Sequence, residues 1–157
     1  MTSLESIVAE IEFFRGLSPE HVQALGACAR EVQFAAGTVL GRAGEPADHF
    51  WAVRDGTLAV ELRVHGRGAV TIETAKAGEV VGFSWLLPPH QLHFDVRALT
   101  PARALSFDGV RLRERCTANP AFGHELLSRF TRVMANRIHA MSLQLVDVYG
   151  DHPIESE

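Results

Sequence analysis

The sequence predicts an α+β fold that is mainly β: an antiparallel sandwich or barrel held between helical ends. Three observations predict it. Helical periodicity is confined to the first thirty or so residues and to those beyond Asp108. Between them, glycines at 37, 44, 56, 66, 68, 78 and 82 cut β-rich runs into short pieces, the rhythm of antiparallel strands and turns. Leu58, Val60, Leu62 and Val64 alternate with Thr57, Ala59, Glu61 and Arg63, which gives a strand with one apolar face.

Each element follows from local chemistry. Residues 3–11 read as a short helix with Ser3 as N-cap, and "FFRGL" reads as a connector. Ser18-Pro19-Glu20 is an N-cap, an N1 proline and a first-turn acid. Val22, Leu25 and Ala29 at helical spacing extend that second helix to about Arg30. From Val32 to Phe107 the runs are strands, with Asp55-Gly56 and Gly66-Arg67-Gly68 as hairpin turns because a positive φ costs glycine little. Asp108 and Asn119 are candidate caps for helices over 109–117 and 120–148, the latter roughly 40 Å long. Leu127, Thr131, Met134, Ile138, Met141, Leu145 and Val148 are spaced alternately four and three apart. That is a heptad seam, and it predicts a homodimer. The tail "GDHPIESE" is expected to fray. The expectation is one domain over 1–157, with N-terminal helices 1–31, β-roll 32–107, C-terminal helices 108–149 and tail 150–157.

Composition narrows the function classes. A formal net charge of -4 argues against a dedicated nucleic-acid binder. The N-terminus lacks a basic region followed by an apolar run, and no segment has the roughly 20 apolar residues that span a bilayer. A cytoplasmic location is expected, with no membrane partner and with Cys28 and Cys116 as reduced thiols.

Specific residues carry a resemblance. In "GRAGEPADHFWAVRDG", residues 41–56, the positions Gly44, Glu45, Ala47, Phe50, Val53 and Gly56 match the first signature of the cyclic-nucleotide-binding domain family. "FFRGLSPEHVQAL" is similar to the family's entry helices, and the likeness runs from about residue 10 to 148. It implies a double-stranded β-helix, or jelly-roll β-roll, like the sensor halves of the Crp/Fnr regulators and the regulatory subunits of cAMP-dependent kinases. The resemblance to Crp-type regulators stops before their DNA-reading helix-turn-helix, so DNA is not an expected partner.

The family's second signature is a phosphate-binding cassette. It begins apolar-Gly-Glu, passes through a short turn of helix, and returns with an arginine, small residues and a strand. The resemblance implies that backbone N–H groups and the arginine hold the cyclic phosphate, while the glutamate accepts from the ribose hydroxyl. Val81-Gly82, Leu86, Val96 and Ala98 match its frame. Within it, Phe83 stands at the ribose glutamate, Trp85 at a small residue, Leu92 at the phosphate arginine, and His93 and Phe94 at the small residues after it. The ligand-binding candidates are therefore Gly82, Phe83, Ser84, Trp85, Leu92, His93 and Phe94. Arg97 is displaced from the arginine position, and strand alternation points it opposite to Val96.

These residues support several functions. The first is a dimeric regulatory or scaffolding module whose cavity its own rings have closed, working through a partner protein. The second is a sensor of a different small, more apolar ligand in the β-roll cavity, walled by Phe83, Trp85, Leu92 and Phe94, with Ser84, His90 and His93 as polar handles. A haem or metal site on His90-x-x-His93, with His49, His65 and Asp95 elsewhere, is a third reading. It lacks an evident third ligand. True cyclic-nucleotide binding is a fourth. No nucleophile elbow, Walker loop or dinucleotide fingerprint is present, so the chain reads as non-enzymatic, with no cofactor or metal expected.

Overall fold

The structure is a computed structural model, described here over residues 3–150. Helix α1 (Ser3–Glu10) and a 3₁₀ turn (Glu12–Phe14) lead to α2 (Pro19–Gly26). The Ser18 side chain accepts from the His21 N–H, so the cap and N1 proline start α2 where the sequence puts them. Helix α2 ends at Gly26 rather than near Arg30, because Ala29–Phe34 is strand β1, paired antiparallel with residues 102–107. Pairing to a distant strand outweighs the local helical period of Ala29.

Seven further strands follow: β2 (Val39–Gly41), β3 (His49–Asp55), β4 (Leu58–Val64), β5 (Gly68–Ala75), β6 (Val80–Val81), β7 (Asp95–Ala98) and β8 (Ala102–Asp108). They form two four-stranded antiparallel sheets, ordered β1-β8-β3-β6 and β2-β7-β4-β5. This is the jelly-roll expected. Both predicted hairpin turns are present, at Gly56 (φ +83°) and at Gly66 and Gly68 (φ +81° and +72°). At Gly56 a Cβ would run into the backbone of Pro101 and Ala102, so glycine is required there for space as well as for conformation.

The roll is filled from both sheets. Trp51 and Val53 of β3, Leu58 and Val60 of β4, Val96 and Ala98 of β7, and Ala102 and Ala104 of β8 form one buried cluster, with Phe34, Leu40 and Phe94 against it. The opposite face of β3 and β8 is buried too: Phe50 stacks on Phe107 at 4.5 Å, and Phe14 lies 5.4 Å from Phe107. The first sheet is thus greasy on both faces, which is why β3 and β8 read as nearly continuous apolar runs.

The β4 alternation holds only in part. Leu58 and Val60 point inward, but Glu61 is buried and Leu62 is 40% exposed. A bulge in the β4–β5 pairing falls between Val60 and Glu61, and the strand past it extends into the hairpin tip, where Leu62 pairs with Val70 in the open.

Helix α3 (Gly109–Ala118) starts on Asp108, whose carboxylate accepts from the Arg111 N–H. Helix α4 (Pro120–Gly150) starts after Asn119, whose side chain accepts from the Phe122 N–H. Its 31 residues make it about 46 Å long. The chain divides into two compact units, one ending at Gly123 and one beginning at His124. In the second unit, Leu127, Ile138, Met141, Leu145 and Val148 are exposed, Thr131 is exposed and Met134 half-buried. Leu143 and Val146 are also exposed on this helix. His124 and His139 are exposed, and His21 is half-buried with its ring 5.1 Å from that of Phe122. The tail after Gly150, with His152, lies outside the described residues. No described helix is long and apolar enough to cross a membrane.

Candidate functional site

The segment between β6 and β7 is where the sequence concentrates its unusual residues. From Gly82 to Phe94 there is no Asp, Glu, Lys or Arg. Gly82 leaves β6 with φ +98°, a conformation that disfavours a side chain. Residues 84–86 then form a turn closed by Leu86 N–H to Phe83 O at 3.0 Å, with Leu87 N–H to Ser84 O at 3.3 Å. This is shorter than the turn of helix that the resemblance implies.

Trp85 and Leu92 go to different places. Trp85 is fully buried on the outer side of the first sheet, its ring stacked on Phe50 at 5.1 Å and 20°. It extends the Phe50–Phe107–Phe14 stack and does not line the interior of the roll. Gly109 makes room for it: a Cβ there would sit 2.9 Å from Trp85 Cβ. Arg113 of α3 donates from Nη1 to Trp85 O at 2.7 Å and to Ala47 O at 3.4 Å. One guanidinium therefore joins α3, the 84–86 turn and the loop before β3.

Leu92 lies on the other side. It is 8% exposed, and its Cδ1 is 2.6 Å from where a Cβ on Gly41 would be, beside the Trp51 ring. Its backbone is pinned on both edges: Leu92 N–H to Glu45 O at 2.9 Å, and Gly44 N–H to Leu92 O at 2.8 Å. Ala47 N–H to His90 O at 2.8 Å continues the pairing. The loop carrying the first signature and the second half of the cassette are thus one hydrogen-bonded unit. Phe94 is half-buried against the interior cluster. Phe83 is half-buried and His93 exposed.

Ser84 and His93 meet: Ser84 Oγ is 3.3 Å from His93 Nδ1, with Ser84 itself buried. This closes the cassette across its own neck. His90 has φ +56° and is half-buried. Among the described residues no three His, Cys, Asp or Glu side chains converge as a metal ion would need.

The charges lie one residue further on, facing away from the interior. Asp95 and Arg97 alternate with inward Val96 and Ala98. Arg97 donates from Nε and Nη2 to the two carboxylate oxygens of Glu61 at 2.6 and 2.9 Å. That bidentate bond holds the Glu61 carboxyl below its ordinary range, against the upward push of burial. Asp95 accepts from the Ala43 N–H at 2.8 Å and from Arg63 Nε at 3.1 Å. The Ala43 N–H first, and Arg63 after it, hold this carboxyl low as well. Arg97 is therefore engaged on the outer face, as strand alternation predicts, and is not aimed at the cassette. Glu61, Arg113, Trp51 and Gly41 were not singled out from the sequence as site residues. The pattern Glu61-x-Arg63 facing Asp95-x-Arg97 was a readable signal for the outer network, whereas Arg113 gave none.

A family model, the cyclic nucleotide-binding domain, matches residues 31–119, more than half of the chain. The CRP-like cAMP-activated global transcriptional regulator of Mycobacterium tuberculosis is 24% identical over 96% of this chain, which spans 66% of that relative's length, just under two thirds. A cyclic nucleotide-binding protein from Geobacter metallireducens superposes with TM-score 0.78 at 25% identity, covering 88% of this chain and all of that one. The regulatory subunit of a cAMP-independent protein kinase A from Trypanosoma brucei superposes with TM-score 0.61 at 18% identity, over 80% of this chain and 50% of that one. A variant of it with three substitutions, one replacing threonine by arginine, has been solved with cAMP in its A site.

Proposed function

The chain belongs to the cyclic nucleotide-binding domain family, and from that premise we propose that it is a regulatory domain that does not hold a cyclic nucleotide in the family's usual pose. The observation that carries this is Leu92. At the position that the resemblance gives to the phosphate cation it places a buried isobutyl group, packed over Gly41. At the position of the ribose acceptor stands Phe83. Each absent charged hydrogen bond removes about 1.5–3 kcal/mol, so the two together weaken binding by roughly two to four orders of magnitude. Trp51 and Phe94 add bulk to the interior where a ligand would need room. A protein of this fold is described as the regulatory subunit of a cAMP-independent kinase, so the fold does not by itself require a response to cAMP.

Regulation without catalysis is the corresponding mode of action. A partner or ligand shifts the domain only if it binds two arrangements unequally, and the Arg113 bridge from α3 to the cassette is the element through which such a shift would pass. Pairing of two copies through Leu127, Thr131, Met134, Ile138, Met141, Leu145 and Val148 belongs to the same proposal. Its support is the row of apolar side chains left open along α4.

Calorimetric titration with cAMP and cGMP tests the reading, using the wild type beside Phe83→Glu/Leu92→Arg. The wild type is expected to give no saturable heat up to about 1 mM nucleotide, a Kd limit near 4 kcal/mol of binding. Micromolar binding by the wild type overturns the proposal. Binding gained by the double variant assigns the loss to the two missing charges, and continued silence assigns it to the filled interior.

A further inference from the structure

We propose that the outer face of the β2-β7-β4-β5 sheet carries a binding site for a small anion, a molecule bearing a phosphate group or paired carboxylates. A cleft of about 590 Å³ lies there, lined in part by Arg42, Arg63, Arg97, His65, Glu61 and Asp95. That volume is in the range of small-molecule sites. Its charge is uneven: three arginines face two carboxylates, an excess of one positive charge with histidine neutral.

The two carboxylates are already used. Both oxygens of Glu61 are taken by Arg97, and Asp95 is shared between Ala43 N–H and Arg63 Nε. A cation entering the cleft finds no open acceptor of full charge. The arginines are used less completely. Arg63 commits only Nε to Asp95, and its side chain is 69% exposed. Arg42 is exposed and, among the described residues, joins no ion pair. Arg42 and Arg63 line the same cleft as Asp95, and Arg63 is bonded to it. A network that only neutralised Glu61 and Asp95 needs two arginines. The third adds like-charge repulsion, and a bound anion offsets it. Planar guanidinium forks suit phosphate and carboxylate oxygens.

The position also has a consequence for the cassette. Arg42 begins the loop that Asp95 holds through Ala43, and the same loop pairs with residues 90–92. An anion at Arg42 and Arg63 therefore acts on the backbone that supports Leu92.

The test is calorimetric titration of the full chain with inorganic pyrophosphate and, separately, with citrate, at constant ionic strength. Saturable binding of either is expected, and which one binds identifies the anion type. Arg42→Gln and Arg63→Gln each should weaken it about tenfold or more, while Arg67→Gln, an exposed arginine of the same hairpin outside the cleft lining, leaves it unchanged. The proposal is overturned if neither anion binds saturably, if Arg42→Gln and Arg63→Gln bind as the wild type does, or if Arg67→Gln weakens binding equally. Thermal melts by circular dichroism confirm that the variants are folded.

Discussion

Gly41 and Leu92 form a two-residue lock whose energetics can be measured directly. Leu92 is 8% exposed, and truncating a buried leucine costs about 2–5 kcal/mol. Its place near the rim puts Leu92→Ala at the low end, about 2–3 kcal/mol. Gly41→Ala puts a methyl 2.6 Å from Leu92 Cδ1. The obstructing atom is the tip of a side chain that can swing, so overpacking costs about 1 kcal/mol. If the two acted independently, the double variant would lose about 3–4 kcal/mol. The geometry predicts less. With Leu92 cut back, the methyl added at position 41 enters vacated space instead of meeting Cδ1, and the double variant should lose only about 2 kcal/mol. The coupling is then at least about 1 kcal/mol. Urea unfolding followed by the fluorescence of Trp51 and Trp85 measures all four proteins. Additivity within about 0.5 kcal/mol would refute the contact, and with it the placement of Leu92 inside the roll.

Further outcomes follow from the same geometry. Glu61 and Asp95 titrate below their ordinary values of 4.5 and 3.8. Their contribution to stability is therefore full above those values and is lost as pH falls through the lowered ones. Urea midpoints between pH 6 and pH 3 should fall accordingly, and Arg97→Gln should flatten the Glu61 part of that fall; an unchanged profile in the variant would exclude the ion pair as its cause. Arg113→Ala removes the bond to Trp85 O and should destabilise by about 1–3 kcal/mol. Hydrogen exchange in that variant should rise around residues 84–92 before it rises in β3 or β8, whereas uniform acceleration contradicts a local bridge. In light scattering, the wild type is expected at twice the 17.2 kDa of one chain. Ile138→Glu/Leu145→Glu should return it to a single chain, and a monomeric wild type removes the proposed seam.

The fold was legible because its signals are local. Ser18-Pro19 caps α2, Asp108 and Asn119 cap α3 and α4, and glycines mark the turns, each through chemistry within three or four residues. The end of α2 was not legible, because β1 takes its pairing from a strand some seventy positions away. The cassette was half legible. The absence of Asp, Glu, Lys and Arg from Gly82 to Phe94 lies in the sequence, but the direction of each ring does not. Inside a turn there is no period of two to alternate by, so Trp85 and Leu92 could not be assigned to opposite sides of the sheet from spacing alone. Their destinations are fixed by Gly109 and Gly41, two absences of a side chain that lie far from them in the chain.

The pairing of Leu92 with Gly41 also bears on how readily such a domain could change its ligand by mutation. Leu92→Arg alone would push a charged group into a crowded apolar corner beside Trp51 before any phosphate is there to receive it. Phe83→Glu alone would add a carboxylate with no sugar hydroxyl to accept from. Each substitution is costly without the other and without a smaller residue at Phe94. On the proposed reading, a route from this roll to a nucleotide-holding one therefore passes through less stable intermediates when these substitutions are made singly.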